Sequence, residues 1–260
     1  MTHAIFHVIL LPQAKSLTYQ IQRRYDMSDS RTASILSFAE HSFGPDETFL
    51  FHCTACGACC KGRHDILVTP WDLYRLAGHL HMEMNQLIQT YCIWYLGETS
   101  HLPIVALKMQ GAEEVCPFLK GRLCGVQEAK PSVCALFPLG RMADPREGHV
   151  RYFIQPVNCG LTDESHTVRE WISVLGAEES EVWYKLWSET VYAFCTTLDE
   201  IAGHMTPQQE ALLATSMMVN LYVHYDMDRP FFEQFEKNAD KVREILKMCS
   251  TYVRLGKRGA

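Results

Sequence analysis

The chain has 260 residues, enough to bury a core of its own, with 47% apolar and 21% charged residues, ordinary globular values. The formal net charge is −6, and the acidic excess lies late: residues 161–260 carry 16 acidic and 10 basic side chains, against 11 and 10 in residues 44–160. Neither region offers the basic face that nucleic-acid binding requires, and no apolar run approaches the roughly 20 residues that span a membrane.

Residues 3–11, H-A-I-F-H-V-I-L-L, read as a strand-like start. They lack the basic region and small-residue cleavage site of a secretory signal. Residues 28–39 predict a helix with Ile35, Leu36 and Phe38 inward, and Gly44-Pro45-Asp46 breaks the chain. A short apolar run, Phe49 to Phe51, feeds the densest feature of the sequence, C-x2-C-x2-C-C at Cys53, Cys56, Cys59 and Cys60. Buried cysteines that merely pack are scattered, whereas two-residue spacing lets one tight loop aim two thiolates at one ion. Gly57 and Gly62 supply the permissive backbone for that loop.

Thr69-Pro70-Trp71-Asp72 predicts a helix start, with Thr69 as N-cap, Pro70 at the first helical position and Asp72 at the third. That helix is expected to stop near Gly78, and another to run from Met84 to Tyr95. Residues 103–109 read as a strand, residues 116–124 as a knuckle turning at Gly121, and residues 149–155 as a strand. Everything after residue 160 reads as helical. The markers there are a capping box at Thr167–Glu170, a stripe from Trp183 to Phe194, a start at Thr206-Pro207, and a last helix from Pro230 to about Tyr252.

Four more cysteines sit in short, stiff contexts: Cys116 before Pro117, Cys124 after the Gly121 turn, Cys134 between Pro131 and Pro138, and Cys159 before Gly160. Eight clustered thiols make two sets of four, and a closed structural zinc site takes four ligands. One natural division joins Cys53, Cys56 and Cys59 to one later cysteine and leaves Cys60 with the other three. Cys92, Cys195 and Cys249 fall on apolar helical patterns and read as core. Lys61, Arg63, Arg122 and Arg141 adjoin the cysteines in sequence and are candidates to offset thiolate charge. His52 and His64 are further candidate ligands that the cysteines make unnecessary.

From Phe51 to Gly160 the chain resembles the YkgJ-like CxxCxxCC cysteine-cluster family, described as a zinc- or iron-chelating domain. The resemblance rests on C-x2-C-x2-C-C, T-P-W-D-L at Thr69–Leu73, C-P-F-L at Cys116, Cys124, P-x2-C-x2-F-P-L-G-R at Pro131–Arg141, and Cys159. It implies metal chelation by the matching cysteines. In cysteine pattern alone the chain also resembles the flagellin lysine methylases, with no further motif that would carry methyl transfer over.

The expectation is an α+β protein: an N-terminal segment (1–50), a small irregular cysteine-rich metal-binding domain with short strands (51–160), and a mainly helical C-terminal region (161–260). Clustered thiols without a secretory signal place it in a reducing cytoplasm. Cys53, Cys56, Cys59, Cys60, Cys116, Cys124, Cys134 and Cys159 are the expected ligands, for zinc or for iron, alone or as an iron–sulfur cluster. The helical tail is expected to meet a protein partner or client, with no nucleic acid and no membrane. The alternative is an iron or iron–sulfur metalloenzyme of redox or protein-modification chemistry, suggested by the ferredoxin-like C-x2-C-x2-C run and the proline after Cys116. No phosphate loop, nucleophile elbow or H-E-x-x-H motif supports another catalytic reading.

Overall fold

A computed structural model describes residues 41–143, 150–174 and 178–258. The strand expected at 3–11 and the helix expected at 28–39 lie outside them. In chain order the elements are β1 (Thr48–His52), α1 (Pro70–Leu80), α2 (Met84–Tyr91), β2 (Cys92–Leu96), β3 (Pro103–Leu107), β4 (Leu119–Lys120), β5 (Leu123–Cys124) and α3 (Ser132–Leu136). There follow β6 (Leu139–Ala143), β7 (Val150–Ile154), β8 (Leu161–Thr167), α4 (Val168–Val174), α5 (Glu178–Ile201), α6 (Pro207–Met218) and α7 (Phe231–Arg258). The fold is α+β, as expected. Its named strands pair in twos, all antiparallel: β1 with β8, β2 with β3, β4 with β5, β6 with β7.

Two compact units emerge. Among the described residues, one comprises 60–132 and 190–258; the other comprises 41–59, 133–143, 150–174 and 178–189. Each draws chain from both sides of the residue 160/161 boundary expected from sequence, and the division falls between Cys59 and Cys60.

In the first unit, α1 begins as its sequence dictates. The Asp72 N–H donates to Thr69 Oγ1 (3.2 Å) while the Thr69 N–H donates back to Asp72 Oδ2 (3.0 Å). The helix runs two residues past Gly78 and closes on His81, whose φ is 52°. Leu73, Leu76, Ala77 and Leu87 are fully buried. The second helix departs from expectation: α2 stops at Tyr91, and Cys92–Leu96 form β2 instead of a last helical turn. The run Cys-Ile-Trp-Tyr-Leu is rich in residues that favour a pleated surface. It pairs along its length with Pro103–Leu107, from Cys92↔Leu107 to Leu96↔Pro103. Trp94, which falls within the helix expected over Met84–Tyr95, is exposed on that strand. A π-helical turn, Val219–Val223, continues α6, and the Tyr222 hydroxyl there donates to the Pro103 carbonyl (3.2 Å). The last helix buries Phe231, Phe235, Ala239, Val242, Leu246 and Val253 on one face, with Phe231 against Trp71 and Tyr225.

In the second unit, β1 alternates as a half-buried strand should: Phe49 and Phe51 are buried and Leu50 is exposed. They join Leu136, Leu139, Tyr152, Val168 and Ile172 in one core cluster. Each fully buried phenylalanine contributes about 2–3 kcal/mol. The strand β8 was read from sequence as the start of the helical region. Its residues, L-T-D-E-S-H-T, are mostly exposed and carry no apolar alternation, so its backbone pairing with β1 is what defines it. Helix begins only at Val168, behind the capping box: the Glu170 N–H donates to Thr167 Oγ1 (3.2 Å) and the Thr167 N–H to Glu170 Oε2 (2.9 Å).

Candidate metal centre

The β1–β8 pair builds the site. His52 at the end of β1 stands opposite Leu161 at the start of β8. The next residues outward are therefore Cys53 on one side and Gly160 and Cys159 on the other. Gly160 makes this approach feasible: its φ is 78°, and a Cβ there would lie 2.4 Å from the Phe51 ring and 2.9 Å from the His52 carbonyl oxygen. Past Cys53 the loop turns through Ala55 (φ 50°) and Gly57 (φ 73°) into a 3-10 turn at Ala58–Cys60. Both residues take the left-handed region, a sharp curl that lets amide groups face sulfur.

The thiols respond to that geometry. The Cys56 thiol is held below its ordinary value, first by the Ala58 N–H that donates to its sulfur and further by the Thr54 side chain and by Cys159; burial and the charge of Cys59 oppose this. The Cys159 thiol is pushed up to about 11, first by burial, then by the charge of Cys56 and Cys59, its hydrogen bond to Cys56 and the charge of Cys53. All three loop cysteines of this unit thus act on Cys159. Cys53 and Cys56 are exposed, and Cys59 and Cys159 half-buried.

This donor set fits zinc or iron in its chemistry. It offers four sulfurs, one of them a thiol that an amide N–H holds below its ordinary value, on a loop that curls through left-handed Ala55 and Gly57. A cation would offset both the burial that chiefly raises the Cys159 thiol and the lesser charge of its neighbours. Among the described residues no three or more His, Cys, Asp or Glu side chains stand in an arrangement that could hold an ion as it is, so ligation requires the loop to draw its sulfurs together.

The other expected ligands are placed as follows. In the first unit, Cys60–Gly62 runs antiparallel to Glu114–Cys116: the Cys116 N–H donates to the Cys60 carbonyl (2.8 Å) and the Gly62 N–H to the Glu114 carbonyl (2.9 Å). Cys124 is on β5, opposite Leu119 on β4, across the turn at Gly121 (φ 64°). Cys134 is on α3 and belongs to the second unit. None of the cysteines is in a disulfide. Cys92, Cys195 and Cys249 behave as packing residues: burial pushes the thiols of Cys92 and Cys195 up to about 12 and raises that of Cys249. Cys92 is buried as expected, though on a strand and not a helix.

Of the four basic residues near the cysteines, Arg122 is exposed and the other three have carboxylate, aromatic or hydroxyl neighbours. Lys61 lies 3.7 Å from Glu113, and Arg63 grips the buried Asp65 with two hydrogen bonds (2.5 and 2.9 Å). Arg141 is buried, with its guanidinium 3.8 Å over the Tyr184 ring and its Nη1 towards Ser180. His52 pairs with Asp163 (3.2 Å), and His64 with Glu114 (3.0 Å). Sequence reasoning missed the roles of Ala58, Thr54 and Gly160. The N-C-G tripeptide was the one available sign, since a glycine after a candidate ligand signals close approach.

The described residues thus bring a loop of closely spaced thiols and a distant cysteine to one end of a two-stranded sheet. Residues 52–160 match the CxxCxxCC family, whose description is "Putative zinc- or iron-chelating domain". An uncharacterized protein of Methanocaldococcus jannaschii is 30% identical over 90 residues, which cover 34% of this chain and 44% of that protein. The chain thus spans less than half the length of this curated relative. No solved structure matches the chain. No described helix is long and apolar enough to cross a membrane.

Proposed function

We propose that this protein binds zinc or iron through its eight clustered cysteines, with Cys53, Cys56, Cys59 and Cys159 as one four-sulfur set. The observation that carries this reading is the β1–β8 register, which pairs His52 with Leu161 and so brings Cys53 to the same end of the sheet as Cys159, whose side chain hydrogen-bonds that of Cys56. Cys60, Cys116, Cys124 and Cys134 are the remaining proposed ligands. A four-thiolate zinc ion would be structural, while iron would add redox capacity. The surrounding residues act on the sulfurs and not on a substrate: Ala58 and Thr54 stabilise thiolate, and Gly160 admits Cys159 to the group. The helical region after Val168 serves as a surface for a protein partner, and the chain works in a reducing cytoplasm that keeps its thiols available.

Protein purified without oxygen tests this. At least one equivalent of zinc in colourless protein supports a structural centre. Iron with visible absorption supports the iron or iron–sulfur form, in which redox or protein-modification chemistry becomes the working alternative. Less than half an equivalent of any transition metal would refute both.

A further inference from the structure

The strand β2 presents an open edge. The Lys108 N–H donates to the Tyr91 carbonyl (2.8 Å) at one end of the β2–β3 pair, and the Gly97 N–H to the Leu102 carbonyl (3.0 Å) at the other. Bonded and non-bonded pairs alternate in an antiparallel ladder. Ile93 and Tyr95 therefore bond to β3, while the backbone groups of Cys92, Trp94 and Leu96 point away from it. The Cys92 N–H caps α2 on the Ile88 carbonyl, and among the described residues no strand meets the rest of this edge. Natural edges are ordinarily blunted by charge, proline or a bulge. The run Cys-Ile-Trp-Tyr-Leu has none of these, and Ile93, Trp94, Tyr95 and Leu96 are all exposed, so apolar side chains stand out on both faces. The far edge of β3 is taken: the Val68 N–H donates to the Val105 carbonyl (2.9 Å) and the Leu107 N–H to the Ile66 carbonyl (3.0 Å).

We infer that β2 pairs antiparallel with β2 of a second copy of this chain, about a two-fold axis at Trp94. Open N–H and C=O groups in extended register call for a strand as occupant, which a lipid surface does not supply. Apolar side chains on both faces call for a strand that is apolar on both faces, and β2 itself is one. The two-fold sets Trp94 against Trp94 and Cys92 against Leu96 on one face. On the other it sets Ile93 against Tyr95, a favourable pairing of a β-branched with an aromatic side chain. The Trp94 N–H donates to the Trp94 carbonyl of the second copy and the Leu96 N–H to its Cys92 carbonyl, and the Cys92 N–H stays on α2. Charge agrees: the strand is uncharged, and beyond it Glu98 falls opposite Thr90, so no like charges meet. Because one edge of the pair is open and the other is taken, association closes at two copies. None of this depends on the metal reading.

Sedimentation equilibrium and amide hydrogen exchange on the full chain, purified without oxygen, test this. A dimer is expected, with the Trp94 and Leu96 amides better protected as concentration rises. Trp94→Lys and Trp94→Glu each set like charges across the axis and should each weaken the dimer roughly 100-fold. An equal mixture of the two variants should recover it, because opposite charges then face each other. Recovery requires Trp94 to stand against Trp94 and shows that both variants fold. Metal content of both should equal wild type, which separates failure of pairing from failure of the metal reading. A wild-type monomer at every concentration would overturn the inference. So would protection of the Trp94 and Leu96 amides that does not change with concentration, the mark of a strand from within the chain. A dimer indifferent to Trp94→Lys, or no recovery from two folded variants, would do the same.

Discussion

Asp72 holds Ser132 by two bonds: its Oδ1 accepts from the Ser132 N–H at 2.8 Å and from the Ser132 hydroxyl at 2.7 Å. Its other oxygen accepts the Thr69 N–H (3.0 Å) and hydroxyl (2.8 Å). Asp72 is 1% exposed, so these donors satisfy a carboxylate that water does not reach. The relationship joins two sequence blocks that looked independent, T-P-W-D-L and P-S-V-C, and Ser132 opens the short helix that carries Cys134. Asp72→Ala strands four donors and should cost about 3–5 kcal/mol. Asp72→Asn, which keeps an acceptor, should cost less. Urea unfolding of both variants measures this, and a loss under about 1 kcal/mol for Asp72→Ala would show that the bonds are dispensable.

Gly160 offers a sharper comparison. Gly160→Ala must strain a φ of 78° and push a methyl into the Phe51 ring and the His52 carbonyl. Gly121 has a similar φ of 64° but nothing within 4 Å of a Cβ. Gly121→Ala should therefore cost about 1 kcal/mol, the backbone term alone. Gly160→Ala should cost about 2–4 kcal/mol and weaken metal retention as well. Equal effects of the two variants on stability and metal content would remove the steric argument for Cys159's position.

Thiol reactivity should follow the same geometry. In metal-stripped protein, iodoacetamide at mildly alkaline pH should label Cys56 first, because its thiol is held below the ordinary value and its sulfur is exposed. Cys92 and Cys195, whose thiols are pushed up to about 12, should be labelled last. The sign is fixed by protonation: raising the pH towards 12 gains thiolate at Cys92 and Cys195, whereas Cys56 gains its thiolate earlier. Peptide mapping by mass spectrometry gives the order directly, and Cys195 modified ahead of Cys56 would contradict it.

Much of the local structure was legible in the sequence, because caps are local chemistry. Thr69 with Asp72, Thr167 with Glu170 and Thr206 with Gln209 each announced a helix start that the structure contains. The failures came where tertiary pairing decides. Cys92–Leu96 fits the end of an amphipathic helix as well as a strand, and only pairing with Pro103–Leu107 resolves it. The polar Leu161–Thr167 is a strand because β1 provides its hydrogen bonds. The sequence allowed any late cysteine to accompany Cys53, Cys56 and Cys59. Cys159 is placed there by the strand register and by a glycine's lack of a side chain, neither of which spacing encodes. Arg63, a candidate from sequence to offset thiolate charge, pairs with Asp65 two residues away, a contact that sequence spacing alone does not announce.

The central claim is that Cys159 shares one metal with Cys53, Cys56 and Cys59. The most direct measurement is metal content per chain in anaerobically purified Cys159→Ser, beside Cys195→Ser and wild type, by elemental analysis. The account predicts that Cys159→Ser loses about one equivalent while Cys195→Ser retains the wild-type amount. Full metal content in Cys159→Ser, or equal loss from both variants, would contradict it.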